Sequence, residues 1–228
     1  MLIDIITLFP EMFGGVFGES IVKRAVDNGI LKINLTQLRD FAFDKHKHVD
    51  DSPFGGGSGM VLKPEPMYRA VRHVLASDEN LSRRIIITDP AGTTFNQSKA
   101  KELATFERLI FICGHYEGFD ARIYDLADEL ISIGDYVLTG GELPAMVIVD
   151  AVARMLPGVL GASDSAVTDS FFDGILSYPQ YTRPRDFEGK TVPDVLLSGN
   201  HAEINKWRRE QALKLTESRR PDLLDMFE

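Results

Sequence analysis

The chain predicts an α/β fold built on a parallel sheet, and three observations carry that prediction. Short apolar runs at residues 2–8, 84–88, 109–113 and 129–133 alternate with segments whose apolar residues recur at helical spacing. Such alternation implies parallel strands with helices on both faces. Two glycine-rich patches, Gly114-His115-Tyr116-Glu117-Gly118 and Ile133-Gly134-Asp135-Tyr136-Val137-Leu138-Thr139-Gly140-Gly141-Glu142-Leu143-Pro144, each follow a strand-like run and precede a helix-like one. In sheets of this kind ligands sit beyond the carboxyl ends of the strands, where these patches fall. Finally, 228 residues with 44% hydrophobic content suffice for a real core.

Taken in order, residues 2–8 read as a buried strand, followed by Phe9-Pro10 and a helical segment. Residues 30–38 alternate as a second strand. Residues 39–63 hold no period and contain Asp50-Asp51-Ser52-Pro53-Phe54-Gly55-Gly56-Gly57-Ser58-Gly59-Met60, a loop long enough to suggest a role. Residues 64–76 place Met67, Val71, Val74 and Leu75 at helical spacing. The strand at 84–88 is expected to end at Asp89-Pro90, and Asn96 to cap a helix through residue 105. After the strand at 109–113 come a helix at 120–127 and a strand at 129–133. An amphipathic helix at 142–156 follows, with Pro144 tolerated in its first turn. Residues 157–175 are rich in small and polar types and read as a linker. Residues 178–198 look irregular, 200–218 helical, and 221–227 a short terminal helix.

Composition excludes some classes. Apolar stretches such as Ala145-Met146-Val147-Ile148-Val149 fall far short of the ~20 residues of a membrane span. The first residues carry no basic region or cleavage site, so no signal peptide is expected. The lone Cys113 cannot form an internal disulfide, which together with these points favours the cytoplasm. A net charge of −9 argues against nucleic acid over the whole chain, but binding is local. Residues 201–220 hold Lys206, Arg208, Arg209, Lys214, Arg219 and Arg220 against three Glu, and Lys45-His46-Lys47-His48 is a second basic spot. A solvated charged face is the plainer reading of the first.

Other motifs are weaker. Gly55-Gly56-Gly57-Ser58-Gly59 matches a nucleotide-site glycine pattern, yet Asp50-Asp51-Ser52-Pro53 precedes it instead of a strand. A flexible loop, or a lid, fits better. Pro184-Arg185-Asp186-Phe187-Glu188-Gly189-Lys190-Thr191 lacks the first glycine of a P-loop and is rejected as one. Cys113 reads as a buried, inert thiol, and His46 and His48 lack partners for a structural metal. Arg154 suits a helix C-terminus by its charge, and Asp169 suits a helix N-cap.

The two patches, with Pro157-Gly158-Val159-Leu160-Gly161, Tyr181-Thr182-Arg183-Pro184, Leu196-Leu197-Ser198-Gly199-Asn200-His201-Ala202-Glu203-Ile204, Leu8-Phe9-Pro10-Glu11-Met12-Phe13 and Phe54 to Gly57, resemble the TrmD family of bacterial tRNA (guanine-N1)-methyltransferases. The match covers nearly the whole chain in order. It departs at His115, where many members carry arginine, and the chain ends early, at Phe227-Glu228. The resemblance implies a SPOUT-type parallel sheet with a C-terminal trefoil knot, plus a small, mainly helical C-terminal domain. The expected boundaries are 1–160 for the methyltransferase domain, 161–175 for an interdomain linker and 176–228 for a helical tRNA-binding domain.

It further implies S-adenosylmethionine as methyl donor, N1 of guanosine 37 in tRNA as acceptor, and a homodimer whose subunits share each active site. A divalent cation, magnesium, is implied as an assistant without any ligand cluster in the sequence. The donor pocket is expected from Pro90, Gly114, Tyr116, Glu117, Ile133, Gly134, Asp135, Tyr136, Val137, Leu138, Gly140, Gly141 and Pro144. Asp169 is the expected general base and Arg154 the group facing guanine O6. RNA contacts are expected from Arg183, Arg185, Lys206, Arg208 and Arg209. Two alternatives remain: a SPOUT methyltransferase acting on another RNA, and a non-catalytic RNA-binding protein.

Overall fold

The computed structural model describes residues 1–77, 80–161 and 166–224. The chain divides into two compact units, Met1–Gly161 and Ala162–Glu228.

The first unit begins with strand β1 (Leu2–Thr7), a 3-10 turn and two helices, α1 (Gly14–Phe17) and α2 (Ser20–Asp27). Strand β2 (Lys32–Gln37) follows. A two-residue pair, β3 (Asp50–Asp51) and β4 (Val61–Leu62), then pinches the base of the glycine loop. Helix α3 (Pro64–Leu75), strand β5 (Arg83–Thr94), helix α4 (Gln97–Leu103) and strand β6 (Arg108–Cys113) continue the alternation. Strand β7 (Glu129–Ser132) and helix α5 (Glu142–Ala153) end it. The strands order as β2-β1-β6-β5-β7, every neighbouring pair parallel.

Side-chain period sets the two faces of this sheet, because successive residues of a strand point to opposite sides. Ile3, Ile5, Ile86, Leu109 and Phe111 pack on one face with residues of α2, α4 and α5. Ile6, Ile85, Ile87, Ile110 and Ile112 pack on the other with Met67, Ala70, Val71 and Val74 of α3. Asn96 caps α4 as expected, its Oδ1 accepting from Lys99 N at 2.9 Å.

Three expectations for the first unit need correction. The strand expected to stop at Asp89-Pro90 runs on to Thr94, with a register shift between Thr88 and Thr93 that lifts Asp89-Pro90-Ala91-Gly92 out of the ladder. The segment 120–127 is a 3-10 helix, Ala121–Leu126, whose N-cap Asp120 accepts from Arg122 N. Helix α5 is not amphipathic: Pro144, Ala145, Met146, Ile148, Val149, Val152 and Ala153 are buried, while Leu143 and Val147 are exposed apolar residues. Apolar residues all round blur the 3.6-residue stripe by which an amphipathic helix is recognised.

One buried ion pair ties the amino-terminal edge of the sheet to α3. Arg108 of β6 is fully buried and donates through Nε to Asp4 Oδ2 of β1 at 2.8 Å. Its Nη2 donates to Val74 O at 2.7 Å and its Nη1 to Ser77 O. Asn34 Nδ2 of β2 donates to the remaining Asp4 oxygen at 2.8 Å.

In the second unit, residues 166–175 of the expected linker, with the two residues after them, carry their own turns. Phe171 N donates to Ile175 O at 2.7 Å and Ser177 N to Ser170 Oγ at 2.9 Å. Strands β8 (Asp186–Phe187) and β9 (Lys190–Thr191) form a minimal antiparallel hairpin. Its two turn residues, Glu188 and Gly189, have φ of 52° and 76°, as a primed hairpin turn requires. Gly189-Lys190-Thr191 is thus part of a hairpin and not a phosphate loop. Helix α6 (His201–Arg219) starts at Asn200, whose side chain accepts from Ala202 N and Glu203 N. Buried Ile204, Ala212 and Thr216 line its inward stripe at four-residue spacing. The terminal helix expected at 221–227 is a 3-10 turn over Pro221–Leu223, and residues 225–228, with the early chain end, lie outside the described residues.

Candidate active site

The carboxyl ends of β6 and β7 and the Thr88-Asp89-Pro90 segment of β5 line a cavity of about 270 Å³. Both glycine patches line it. Gly141 N donates to Gly114 O at 2.8 Å, so the second patch closes directly onto the end of β6. His115 and Gly140 add an antiparallel bridge.

Glycine is required at this closure by close approach. A Cβ on Gly141 would lie 2.8 Å from Cys113 Cα and 2.9 Å from Gly114 N, and would also strike Thr88 Oγ1. Two of these are backbone atoms that cannot step aside. Gly141→Ala is therefore expected to destabilise the protein by ~1–3 kcal/mol. Gly15→Ala, whose added methyl meets nothing within 4 Å, is expected to be neutral or slightly stabilising. Thermal melts of the two variants check the contrast.

The other wall of the cavity is also built by the backbone. Gly134 has φ of +148°, which side chains rarely adopt. Ser132 Oγ accepts from Gly134 N at 3.2 Å, and Tyr136 Oη donates to Ile133 O at 3.2 Å. These bonds shape the 133–138 loop, whose residues line the cavity. The long loop at 50–62 meets the first patch and the residues just after it through three backbone bonds: Glu117 N to Met60 O, Leu62 N to Gly118 O and Asp120 N to Leu62 O. The sequence reading of this loop as a lid found no such anchor, because nothing local pairs residue 62 with residue 118.

Of the expected pocket residues, Pro90, Gly114, Tyr116, Glu117, Ile133, Gly134, Tyr136, Val137, Leu138, Gly140, Gly141 and Pro144 line the cavity; Asp135 does not. The expected pocket list lacks Thr88, Asp89, His115, Gly118, Phe119, Tyr124, Ile131, Ser132 and Thr139, which also line it. Position in the quoted patches could have flagged His115 and Thr139, whereas Tyr124 carries no local signal. Its phenol donates to Asp89 Oδ2 at 2.8 Å, and burial, then this bond, push its pKa up to about 12, so it stays a neutral donor. His115 sits between Phe9 and Tyr116, with ring centroids at 4.8 and 4.9 Å. Its Nδ1 is buried and has no hydrogen-bond partner among the described residues.

Buried Glu142, at the first turn of α5, accepts from Thr7 Oγ1 at 2.7 Å and fixes the end of β1 beneath the patch. Burial, and then the Glu142 carboxylate, push the Cys113 thiol well above its ordinary range. That agrees with a thiol that only packs.

The remaining expected residues lie elsewhere. Arg154 is the C-cap residue of α5, its N–H donating to Asp150 O at 3.2 Å. Asp169 begins no helix, so it is not an N-cap. It is exposed in a turn, its N–H donating to Ala166 O at 3.2 Å and its carbonyl accepting from Phe172 N at 3.3 Å. Arg183, Arg185, Lys206 and Arg209 are exposed, and Arg185 Nη2 donates to Asp194 Oδ1 at 3.0 Å. Arg208 differs: it is half-buried, its guanidinium 4.9 Å from the Tyr178 ring centroid.

A parallel sheet covered on both faces, with a backbone-lined cavity at its strand ends, defines an α/β protein built to hold a small ligand at that edge. A sequence model of the family described as tRNA (Guanine-1)-methyltransferase TrmD matches residues 1–226. The chain belongs to this family. It is 58% identical over 226 residues to a tRNA (guanine-N(1)-)-methyltransferase of Dehalococcoides mccartyi (strain CBDB1), covering 99% of this chain and 91% of that protein. A protein of the same description from Staphylococcus haemolyticus (strain JCSC1435) is 57% identical over 228 residues, covering 100% of this chain and 92% of its own length. Another, from Moorella thermoacetica (strain ATCC 39073 / JCM 9320), is 58% identical over 225 residues, covering 98% and 90%. No described helix is long and apolar enough to cross a membrane.

Proposed function

We propose that this chain is a cytoplasmic enzyme that transfers a methyl group from S-adenosylmethionine to N1 of guanosine 37 in tRNA, beside the anticodon. The observation that carries the reading is the convergence of both glycine patches on one cavity, in a chain whose whole length matches the TrmD family. The cavity fits the donor on two counts. Residues of both glycine patches line it, and the buried His115 Nδ1 has no hydrogen-bond partner among the described residues. Backbone of Gly114 and of the 133–138 loop would hold the donor's polar edges, with Pro90, Leu138 and Pro144 as apolar walls. When bound, S-adenosylmethionine supplies a methyl group activated by its sulfonium.

The residues of this chain supply the rest. Guanine N1 carries a proton at neutral pH and is a poor nucleophile until it loses it. Asp169 takes that proton as general base. Charge then moves onto O6, where the Arg154 guanidinium stabilises it. Holding N1 in line for transfer provides much of the remaining acceleration. Arg183, Arg185, Lys206 and Arg209 grip phosphates. The reading includes the family's trefoil knot, a C-terminal helical tRNA-binding domain after a linker, and a homodimer in which each active site draws on both subunits. Exposed Leu143 and Val147 on α5 support a subunit contact. Among the described residues no group of three or more His, Cys, Asp or Glu could hold a metal ion, and no step is assigned to magnesium.

Donor-dependent methylation of a tRNA transcript tests the reading. Incorporation is expected with guanosine at position 37 and is lost when adenosine replaces it. Equal incorporation into both, or none into either, overturns it.

A further inference from the structure

The cavity of the first unit carries a side-chain pair that the glycine patches do not explain. Asp89 and Tyr124 both line it, and the Tyr124 phenol donates to Asp89 Oδ2 at 2.8 Å. We propose that the Asp89 carboxylate takes the ribose hydroxyls of the methyl donor, with Tyr124 as the residue that holds it in position. The inference rests on the reading of this cavity as the seat of S-adenosylmethionine and adds to it the side chain that recognises the sugar.

Backbone pairing brings Asp89 to the wall. Thr88 and Thr93 of β5 both pair with Ile131 of β7, so the residues between them, 89–92, leave the ladder as a bulge pinned at both ends. Gly92 presses against β7: a Cβ there would lie 2.5 Å from Ile131 N. Asp89 is half-buried at the start of the bulge, where its Oδ1 accepts from Ala91 N at 2.8 Å. Tyr124 comes from the 3-10 helix Ala121–Leu126, and its ring packs edge-on against Phe119 with centroids 5.9 Å apart. Each of the two bonds thus fixes one carboxylate oxygen.

The acceptor positions left over identify the ligand group. A carboxylate has about four lone-pair sites, shared equally by its oxygens. Ala91 N uses one on Oδ1 and Tyr124 uses one on Oδ2, which leaves an accepting site on each oxygen. Two neighbouring acceptors fit two neighbouring donors, and the vicinal 2′- and 3′-hydroxyls of a ribose are such a pair. A carboxylate beyond the end of a parallel strand is the group that α/β nucleotide sites use for the ribose. The phenol gives its one hydrogen to Asp89, so its part is to hold the carboxylate. Burial, then the Asp89 bond, keep it neutral at a pKa of about 12. The donor's ammonium is the competing occupant, since a carboxylate also attracts a cation. Two hydrogen bonds donated to Asp89 already disperse its charge, which favours neutral hydroxyls.

Calorimetric titration reads the contact without turnover. The probes are S-adenosylhomocysteine, its 2′-deoxy and 3′-deoxy forms, and 5′-methylthioadenosine, which keeps the ribose but lacks the amino-acid end. The unaltered protein is expected to bind each deoxy form about tenfold more weakly than S-adenosylhomocysteine, the scale of a hydrogen bond to a charged group. Asp89→Ala is expected to bind these three within about twofold of one another, near the level of the unaltered protein with the deoxy forms. It is also expected to leave the ratio between S-adenosylhomocysteine and 5′-methylthioadenosine unchanged. Tyr124→Phe, which removes only the hydroxyl, is expected to narrow the preference for the full ribose to about threefold. Circular dichroism shows that each variant is folded, and Tyr124→Phe carries the test if Asp89→Ala is not. Equal binding of the deoxy forms and S-adenosylhomocysteine by the unaltered protein overturns the inference. So does a tenfold preference kept by either variant. An Asp89→Ala protein that instead loses its preference for S-adenosylhomocysteine over 5′-methylthioadenosine assigns the carboxylate to the ammonium and overturns it too. Failure of the reading beneath it looks different: the unaltered protein then takes up neither S-adenosylmethionine nor S-adenosylhomocysteine.

Discussion

Asp169→Ala is expected to lower single-turnover methylation of a guanosine-37 transcript by ~10²–10⁴-fold, the usual contribution of a positioned general base. Donor affinity, read by calorimetry, is expected to stay unchanged, because the donor cavity is built from the first unit and Asp169 belongs to the second. Two backbone bonds of its turn survive the substitution. Asp169 enters its turn through backbone groups, with the N–H bonded to Ala166 O and the carbonyl bonded to Phe172 N, and alanine keeps both. Asp169→Asn provides the sharper control, since it preserves shape but cannot take a proton. Equal losses of donor binding and turnover in the alanine variant would show a structural residue. Wild-type turnover in the asparagine variant would remove the base from the mechanism.

Arg108→Ala is expected to cost ~3–5 kcal/mol of stability, the range found when one partner of a buried ion pair is removed. The loss is large because Asp4, only 3% exposed, would be left with Asn34 as its remaining described side-chain partner. Val74 O and Ser77 O at the end of α3 would also lose their donors. Urea denaturation should show a lower midpoint with little change in slope. Replacing both partners by apolar residues, Asp4→Leu with Arg108→Met, is expected to recover part of the loss, since no charge is then stranded. A single variant that unfolds at the parent midpoint would contradict this account.

The strands were legible because their signal is local. Ile85-Ile86-Ile87 and Leu109-Ile110-Phe111-Ile112 are apolar on both faces, as strands buried on both sides must be. Asn96 was legible as a cap because its partner lies three residues away. Helix α5 was misjudged in character because burial on nearly every side removes the stripe that marks an amphipathic helix. The continuation of β5 past Pro90 was hidden because proline and glycine read as punctuation unless a neighbouring strand resumes the pairing, as Ile131 does with Thr93. Arg208 was grouped with Lys206 and Arg209 by composition. Only its place on the stripe of Ile204 and Ala212 separates it from them.

By itself the sequence determined the alternation of strands and helices, the placing of glycine where backbone must be bare, and the family to which the chain belongs. The tertiary structure decided which distant segments meet: Thr7 with Glu142, 135 residues apart; Asp4 with Arg108, 104 apart; and the patch at Gly114 with the patch at Gly141. The physical reason is one of range. Side-chain period and turn chemistry act over a few neighbouring residues, whereas a cavity exists only once chain packing has brought its walls together.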